Sequence, residues 1–213
     1  MRGGAIAIAG AAIFVCASAW AFSSSKPEAV AAPLSAVSSH PSGSMGDRVF
    51  LTRVQLDQAI AGGTFDRPVK SLLSVKTPLH FGDYVWNDRG VPAGPTWVRV
   101  DLRSQLISVF RAGHEIGTAV IVYGADGLPT PAGKFPILAK LRDHRSQTYD
   151  APMPYTLRLT GDGVSIHGSS VRWGAATHGC IGVPLPFAER LFNAAHVGDQ
   201  VVVVGSPRAS RTS

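Results

Sequence analysis

Between Thr96 and Tyr123 the chain alternates apolar and polar residues with a period of two, and this limits the fold more than any other feature. Val98, Val100 and Leu102 interleave with Arg99, Asp101 and Arg103, so one set faces a core and the other faces water. The runs QLISVFR and EIGTAVIVY follow, and Ala112-Gly113 sits between them at the position of a hairpin turn. We therefore expect three strands in succession. Further on, GADGLPTPAGKFPI, from Gly124 to Ile137, reads as a Gly/Pro-punctuated loop feeding another strand. Gly163 to Ile166 reads as a short strand, and Val201 to Val204 as a final apolar one. Helical signals are few. Thr52 and Gln55 have capping-box spacing, with Gly62-Gly63 as the stop. A longer helix is expected from Pro186, with Phe187, Leu191 and Ala195 on one face and Gly198 at its end. The expected fold is mainly β with one or two helices.

Composition supports a folding chain. Hydrophobic residues make up 45% of 213, enough for a core that needs no disulfide staple. The net charge of +6 suits an anionic surface without identifying it. The sequence holds no P-loop, dinucleotide fingerprint or internal repeat, and we expect no nucleic-acid partner. Residues 1–21 carry Arg2, an apolar run and Ala19-Trp20-Ala21, the pattern of a cleaved secretory leader, with a membrane anchor as the alternative. We expect export to the periplasm or cell envelope. Residues 22–48 are rich in Ser, Ala and Pro and read as a flexible linker. Residues 49–95 read as an extension packed on a domain spanning 96–205, and 206–213 as a disordered tail. None of these features fixes an oligomeric state.

The chemistry gathers in SIHGSSVRWGAATHGCIGVP, which holds His167, His178 and Cys180. Cys16 lies in the leader, so Cys180 is the lone thiol of the mature chain. A thiol attacks as thiolate, and an imidazole within reach both lowers its pKa and takes its proton. If Ser165-Ile166-His167 ends a strand and Thr177 to Ile181 lies beside it, His167 faces Cys180. On an extended backbone His178 points to the same side as Cys180. Gly179 has no side chain, so its N–H and that of Cys180 are open to a substrate carbonyl oxygen, as in an oxyanion hole. Two His and one Cys also suit zinc with an open fourth position. There is no second Cys, no H-E-x-x-H helix and no carboxylate at ligand spacing, so we expect no metal and no cofactor. His40, His80, His114, His144 and His196 have no reactive sequence neighbours, and His144 lies in a polar loop, RDHRSQTYD, that could line a cleft.

The blocks YGADGLPTPAGKFPI, MPYTLRLTGDGVSIHG and THGCIGVP together resemble the L,D-transpeptidase catalytic domain of bacterial cell-wall enzymes, across roughly residues 96–205. The resemblance implies a β-sandwich of mixed sheets and a cysteine acyltransferase acting on peptidoglycan stem peptides. Carried over by position, Cys180 is the nucleophile, His167 the base, and Gly168 orients that base through its carbonyl. His178 and Gly179 shape the oxyanion site. The implied reaction is attack on the bond after meso-diaminopimelate, release of D-Ala and transfer of the acyl group to an amine. Carbapenems are implied to acylate the same thiol.

One position departs from the family pattern. Two residues after the cysteine the family has Arg or Asn, whereas this chain has Gly182. Arg158 or Arg172 is then expected to meet the substrate carboxylate, since a guanidinium binds carboxylates bidentately. Tyr155 and Trp173 are read either as groove-lining residues or as core aromatics. Two alternatives stand beside transpeptidation: an L,D-carboxypeptidase or endopeptidase that resolves the acyl-enzyme with water, and a silent wall-binding module. A thiol reactive well below its ordinary pKa is expected of catalysis, and ordinary reactivity of binding.

Overall fold

The computed structural model describes residues 47–125 and 127–205. The expected leader, nearly all of the linker and the expected tail lie outside the described residues. The elements, in chain order, are β1 (Arg48–Phe50), α1 (Arg53–Ala61), β2 (Ser71–Leu73), β3 (Tyr84–Trp86), β4 (Thr96–Asp101), β5 (Leu106–Arg111) and β6 (His114–Val120). Then come β7 (Gly133–Pro136), β8 (Ala139–Arg145), β9 (Pro152–Arg158), β10 (Ser165–Ser169), β11 (Ile181–Pro184), α2 (Leu185–Ala194) and β12 (Gln200–Val204).

The alternation at Thr96–Tyr123 forms the antiparallel ladder β4-β5-β6. Ala112 (φ 51°) and Gly113 (φ 87°) join β5 to β6 with Arg111 opposite His114, the two positive φ angles of a type I′ turn that matches strand twist. Around this meander a mixed eight-stranded sheet runs β1-β2-β6-β5-β4-β12-β7, with β3 also paired to β6. A second, four-stranded sheet runs β11-β10-β9-β8. The fold is thus mainly β with mixed sheets and two helices, as the sequence implied.

The main core lies between the sheets. Val98 and Val100 of β4 and Ile116 of β6 meet Leu157, Ile166 and Ile181 of the second sheet, joined by Phe187 and Leu191 of α2. Phe187 and Leu191 are fully buried, which contributes about 1.5–3 kcal/mol each. On the other face of the large sheet, Trp97 stacks on Phe110 at 4.3 Å and collects Leu51, Leu56 and Phe65 from the α1 region.

Three sequence expectations shift. The helix α2 begins at Leu185 and ends at Ala194, because Ala195 turns extended (φ −89°, ψ 154°) instead of continuing to Gly198. The expected strand at Gly163–Ile166 is Ser165–Ser169, two residues later at its start. The polar stretch RDHRSQTYD is no simple loop: its first part completes β8, which pairs antiparallel with β9, and Ser146–Ala151 forms the tip.

Candidate active site

The strands β10 and β11 run parallel, with Ile166 opposite Ile181 and His167 opposite Gly182. Cys180 stands one residue before β11, level with Ser165. The His167 side chain shares a face with Ser165, opposite the face that buries Ile166 in the core, and the Cys180 thiol reaches the entry to β10, 3.8 Å from Gly163 O. Arg158 of β9 pairs with Ser165, one strand and about 4.8 Å further across the sheet on the same face.

The His167 ring is only 8% exposed, and its Nδ1 lies 3.0 Å from Gly168 O. A carbonyl can only accept, so this bond assigns the proton to Nδ1 and leaves Nε2 with a lone pair. Burial holds the imidazole below its ordinary pKa; the Gly168 carbonyl opposes the shift and nearby His144 reinforces it. His144 is half-buried on β8, so the polar segment does bring this histidine toward the site.

Burial pushes the Cys180 thiol up; the Ser165 N–H opposes this and Asp162 adds to it. The Sγ donates to Gly163 O at 3.8 Å, and among the described residues no hydrogen bond joins it to His167. The expected lowering of the thiol is therefore replaced by a rise, because desolvation acts on a thiol that is not on the imidazole.

The cysteine backbone is clamped from two sides. Thr177 Oγ1 donates to Cys180 O at 2.5 Å and Thr130 Oγ1 at 3.3 Å, while Thr130 accepts the Gly124 N–H at 3.0 Å. Thr177 donates its N–H to Tyr123 O and accepts the Ala125 N–H, which bridges it to Gly124, and Val122 exchanges both N–H···O bonds with Gly182. The loop containing LPTPAG thus supplies a buried hydroxyl, 3% exposed, to the cysteine peptide. Gly124 fits here because it has no Cβ, which would sit 2.1 Å from Leu128 O and 3.0 Å from Gly179 Cα. Sequence reading identified the loop but not Thr130, whose partner lies fifty positions away.

His178 departs from its expected direction. Residues 178–180 form a bend, with Gly179 at φ +101°, so alternation along an extended strand fails there. The His178 ring is exposed and stacks on Tyr149 of the β8–β9 tip, with centroids 4.1 Å apart and planes at 17°. Tyr149 went unnoticed in the sequence, where only its place in a polar loop could have drawn attention. Gly179 is buried, and the N–H groups of Gly179 and Cys180 donate to no described residue.

The expected substrate residues separate. Arg158 is exposed, on the face of Ser165, with no ion-pair partner among the described residues. Arg172 is exposed in the loop after β10. Trp173 is 85% exposed, which overturns the core reading for it; its ring meets Phe81 edge-on at 5.7 Å. Tyr155 is half-buried, packed edge-on against Phe192 at 5.7 Å and beneath Arg142, at the margin of the core. Among the described residues no three His, Cys, Asp or Glu side chains gather as metal ligands.

Gly182 acquires a physical reason. A Cβ there would lie 2.7 Å from Val122 Cγ2 and 2.8 Å from Ser169 Cβ, inside the bridge that holds β11 to the large sheet. Gly182→Asn is expected to cost about 1–3 kcal/mol by overpacking and to lower the melting midpoint by roughly 2–12 °C. A thermal melt of the variant that matches wild type would show that the bridge yields and that packing does not select the glycine.

Residues 95–203 match the family model described as YkuD, an L,D-transpeptidase catalytic domain. L,D-transpeptidase 1 of Mycobacterium tuberculosis is 30% identical over 121 residues, covering 49% of this chain and 48% of that protein. The chain therefore spans about half the length of the curated relatives it matches. Among solved structures, an L,D-transpeptidase from Stackebrandtia nassauensis is similar in fold, with a TM-score of 0.51 at 24% identity, covering 74% of this chain and 69% of that one.

Proposed function

This chain belongs to the L,D-transpeptidase catalytic-domain family, and from that membership we propose that it is a cysteine acyltransferase acting on peptidoglycan stem peptides. The observation that carries the reading is the juxtaposition on the β10–β11 pair. The Cys180 thiol rests at the entry to β10, 3.8 Å from Gly163 O, His167 stands on that same strand, and its imidazole is tied at Nδ1 to Gly168 O with Nε2 left able to accept a proton.

The thiol turns from Gly163 O toward Nε2, gives up its proton as Sγ attacks the stem carbonyl, and forms a tetrahedral oxyanion. The unengaged N–H groups of Gly179 and Cys180 receive that charge. Collapse expels D-Ala as its amine, with His167 returning the proton, and leaves a Cys180 thioester. An amine of a second stem then attacks the thioester, forming an amide and regenerating the thiol. Gly168 orients the base, and the Thr130–Thr177 clamp fixes the peptide from which the thiol projects. Arg158, opposite Ser165 on the neighbouring strand, meets a donor carboxylate in place of the side chain missing at Gly182, and Arg172 and Trp173 border the entrance. The reading of residues 1–21 as a leader or anchor supports export to the cell envelope, where stems are found.

The test is intact-mass and product analysis after incubation with a disaccharide-tetrapeptide, with and without a second stem as amine acceptor. The expected product is a dimeric muropeptide that has lost D-Ala. Tripeptide alone would make the chain a carboxypeptidase, and no product in either case would overturn both enzyme readings in favour of wall binding.

A further inference from the structure

A cleft of about 610 Å³ opens between residues 75–81, the β4–β5 turn and β6, away from the thiol. Its floor is apolar, formed by Leu79, Phe81, Leu106 and Val120, and its rim carries the neutral hydrogen-bonding groups of Thr77, Ser104 and Gln105. Lys76, the one lysine or arginine of the lining, pairs with Asp47 at 3.0 Å; His80 adds an imidazole, and no carboxylate lines the cleft. Such a lining selects a ligand that is uncharged, with one apolar face and many hydroxyls at its edges. A pyranose ring has that shape.

Trp173 makes the case specific. Trp173 is 85% exposed, and its ring is held edge-on by Phe81, which also lines the cleft. It is presented as a flat plate for stacking. The lining of the cleft continues along its strand toward the second sheet. Thr118, Val120 and Val122 alternate with the core residues Ala119 and Ile121. Val122 in turn faces the site of Gly182 and Ser169, on the His167 side of the second sheet.

We infer that this cleft, with Trp173 at its end, is a carbohydrate site that holds the glycan strand whose stem reaches Cys180. The inference rests on the proposed function for the identity of the glycan, and it is tested without stems. The probe is a β-1,4-linked tetramer of N-acetylglucosamine, titrated into the full chain and read by tryptophan fluorescence and calorimetry. Wild type is expected to bind it. Trp173→Ala, which removes the plate, and Ser104→Trp, which fills the cleft from an exposed turn position, are each expected to weaken binding about tenfold or more.

No binding by wild type overturns the inference while leaving transfer on sugar-free stems to be judged separately. Binding that neither variant weakens overturns the location. Binding of an alkyl-chain probe, displaced by both variants, without binding of the sugar would make the cleft an apolar-chain site and overturn the carbohydrate assignment. Sugar binding without any reaction on stem peptides would support the cleft and sink the catalytic reading instead.

Discussion

Cys180→Ala is expected to lower turnover of stem peptides by a thousandfold or more, the scale set by deleting a covalent nucleophile, and to leave the fold in place. The second half follows from the clamp. Thr130 and Thr177 bond the Cys180 carbonyl, not the thiol, so the alanine keeps every backbone contact that positions the loop. The thiol itself donates one long bond, to Gly163 O at 3.8 Å, whose loss costs about 1 kcal/mol or less. Incubated with tetrapeptide stem, wild type should gain the mass of the tripeptidyl acyl group and the variant should gain none, while their melting curves coincide. Cys180→Ser is expected to be nearly as inert, because the burial that raises the thiol keeps a hydroxyl protonated as well. Activity of the alanine variant above about one per cent of wild type would remove Cys180 from the role of nucleophile.

The sequence made some parts of this architecture legible for local reasons. The β5–β6 hairpin could be read because Ala112-Gly113 carries its turn in two residues, and α1 because Thr52 and Gln55 cap each other across three positions. The β8–β9 hairpin could not. Lys140, Arg142 and Arg145 occupy an edge strand with little apolar face to alternate, and Pro152 and Pro154 argue against a strand at β9. In the site, the spacing of His167, His178 and Cys180 drew attention to the right segment. What it could not carry is the reversal at Gly179, which sends His178 outward to Tyr149. Nor could it show the thiol resting on Gly163 O, or Thr130 reaching the cysteine peptide across the fold. Each of these depends on a backbone angle or a long-range contact, and a one-dimensional pattern encodes neither. Gly182 lies between the two cases: its departure is visible in the sequence, and its cause, the closeness of Val122 and Ser169, only in the fold.

The pH dependence of acylation separates the base from its neighbours. In the resting site the thiol is held above its ordinary pKa and His167 below its own. The neutral pair is therefore favoured over the thiolate–imidazolium pair at pH 7, and proton transfer belongs to the attack step. Wild-type acylation should rise as His167 loses its proton, with a midpoint below the usual imidazole value of about 6.5, and then run flat through neutral pH. In His167→Ala no base accepts the thiol proton. Only the thiolate reacts, so the rate should fall about 10²–10⁴-fold at pH 7 and climb about tenfold per pH unit toward the raised thiol pKa. The sign is fixed by the two shifts: a raised thiol makes the variant poorer at neutral pH, and a lowered imidazole keeps wild type active into mild acid. A His167→Ala profile that keeps a plateau near pH 7 would assign the proton to another group. His144 is the first candidate, because it is close enough to depress His167 electrostatically, and His144→Ala in the same background would then remove the plateau.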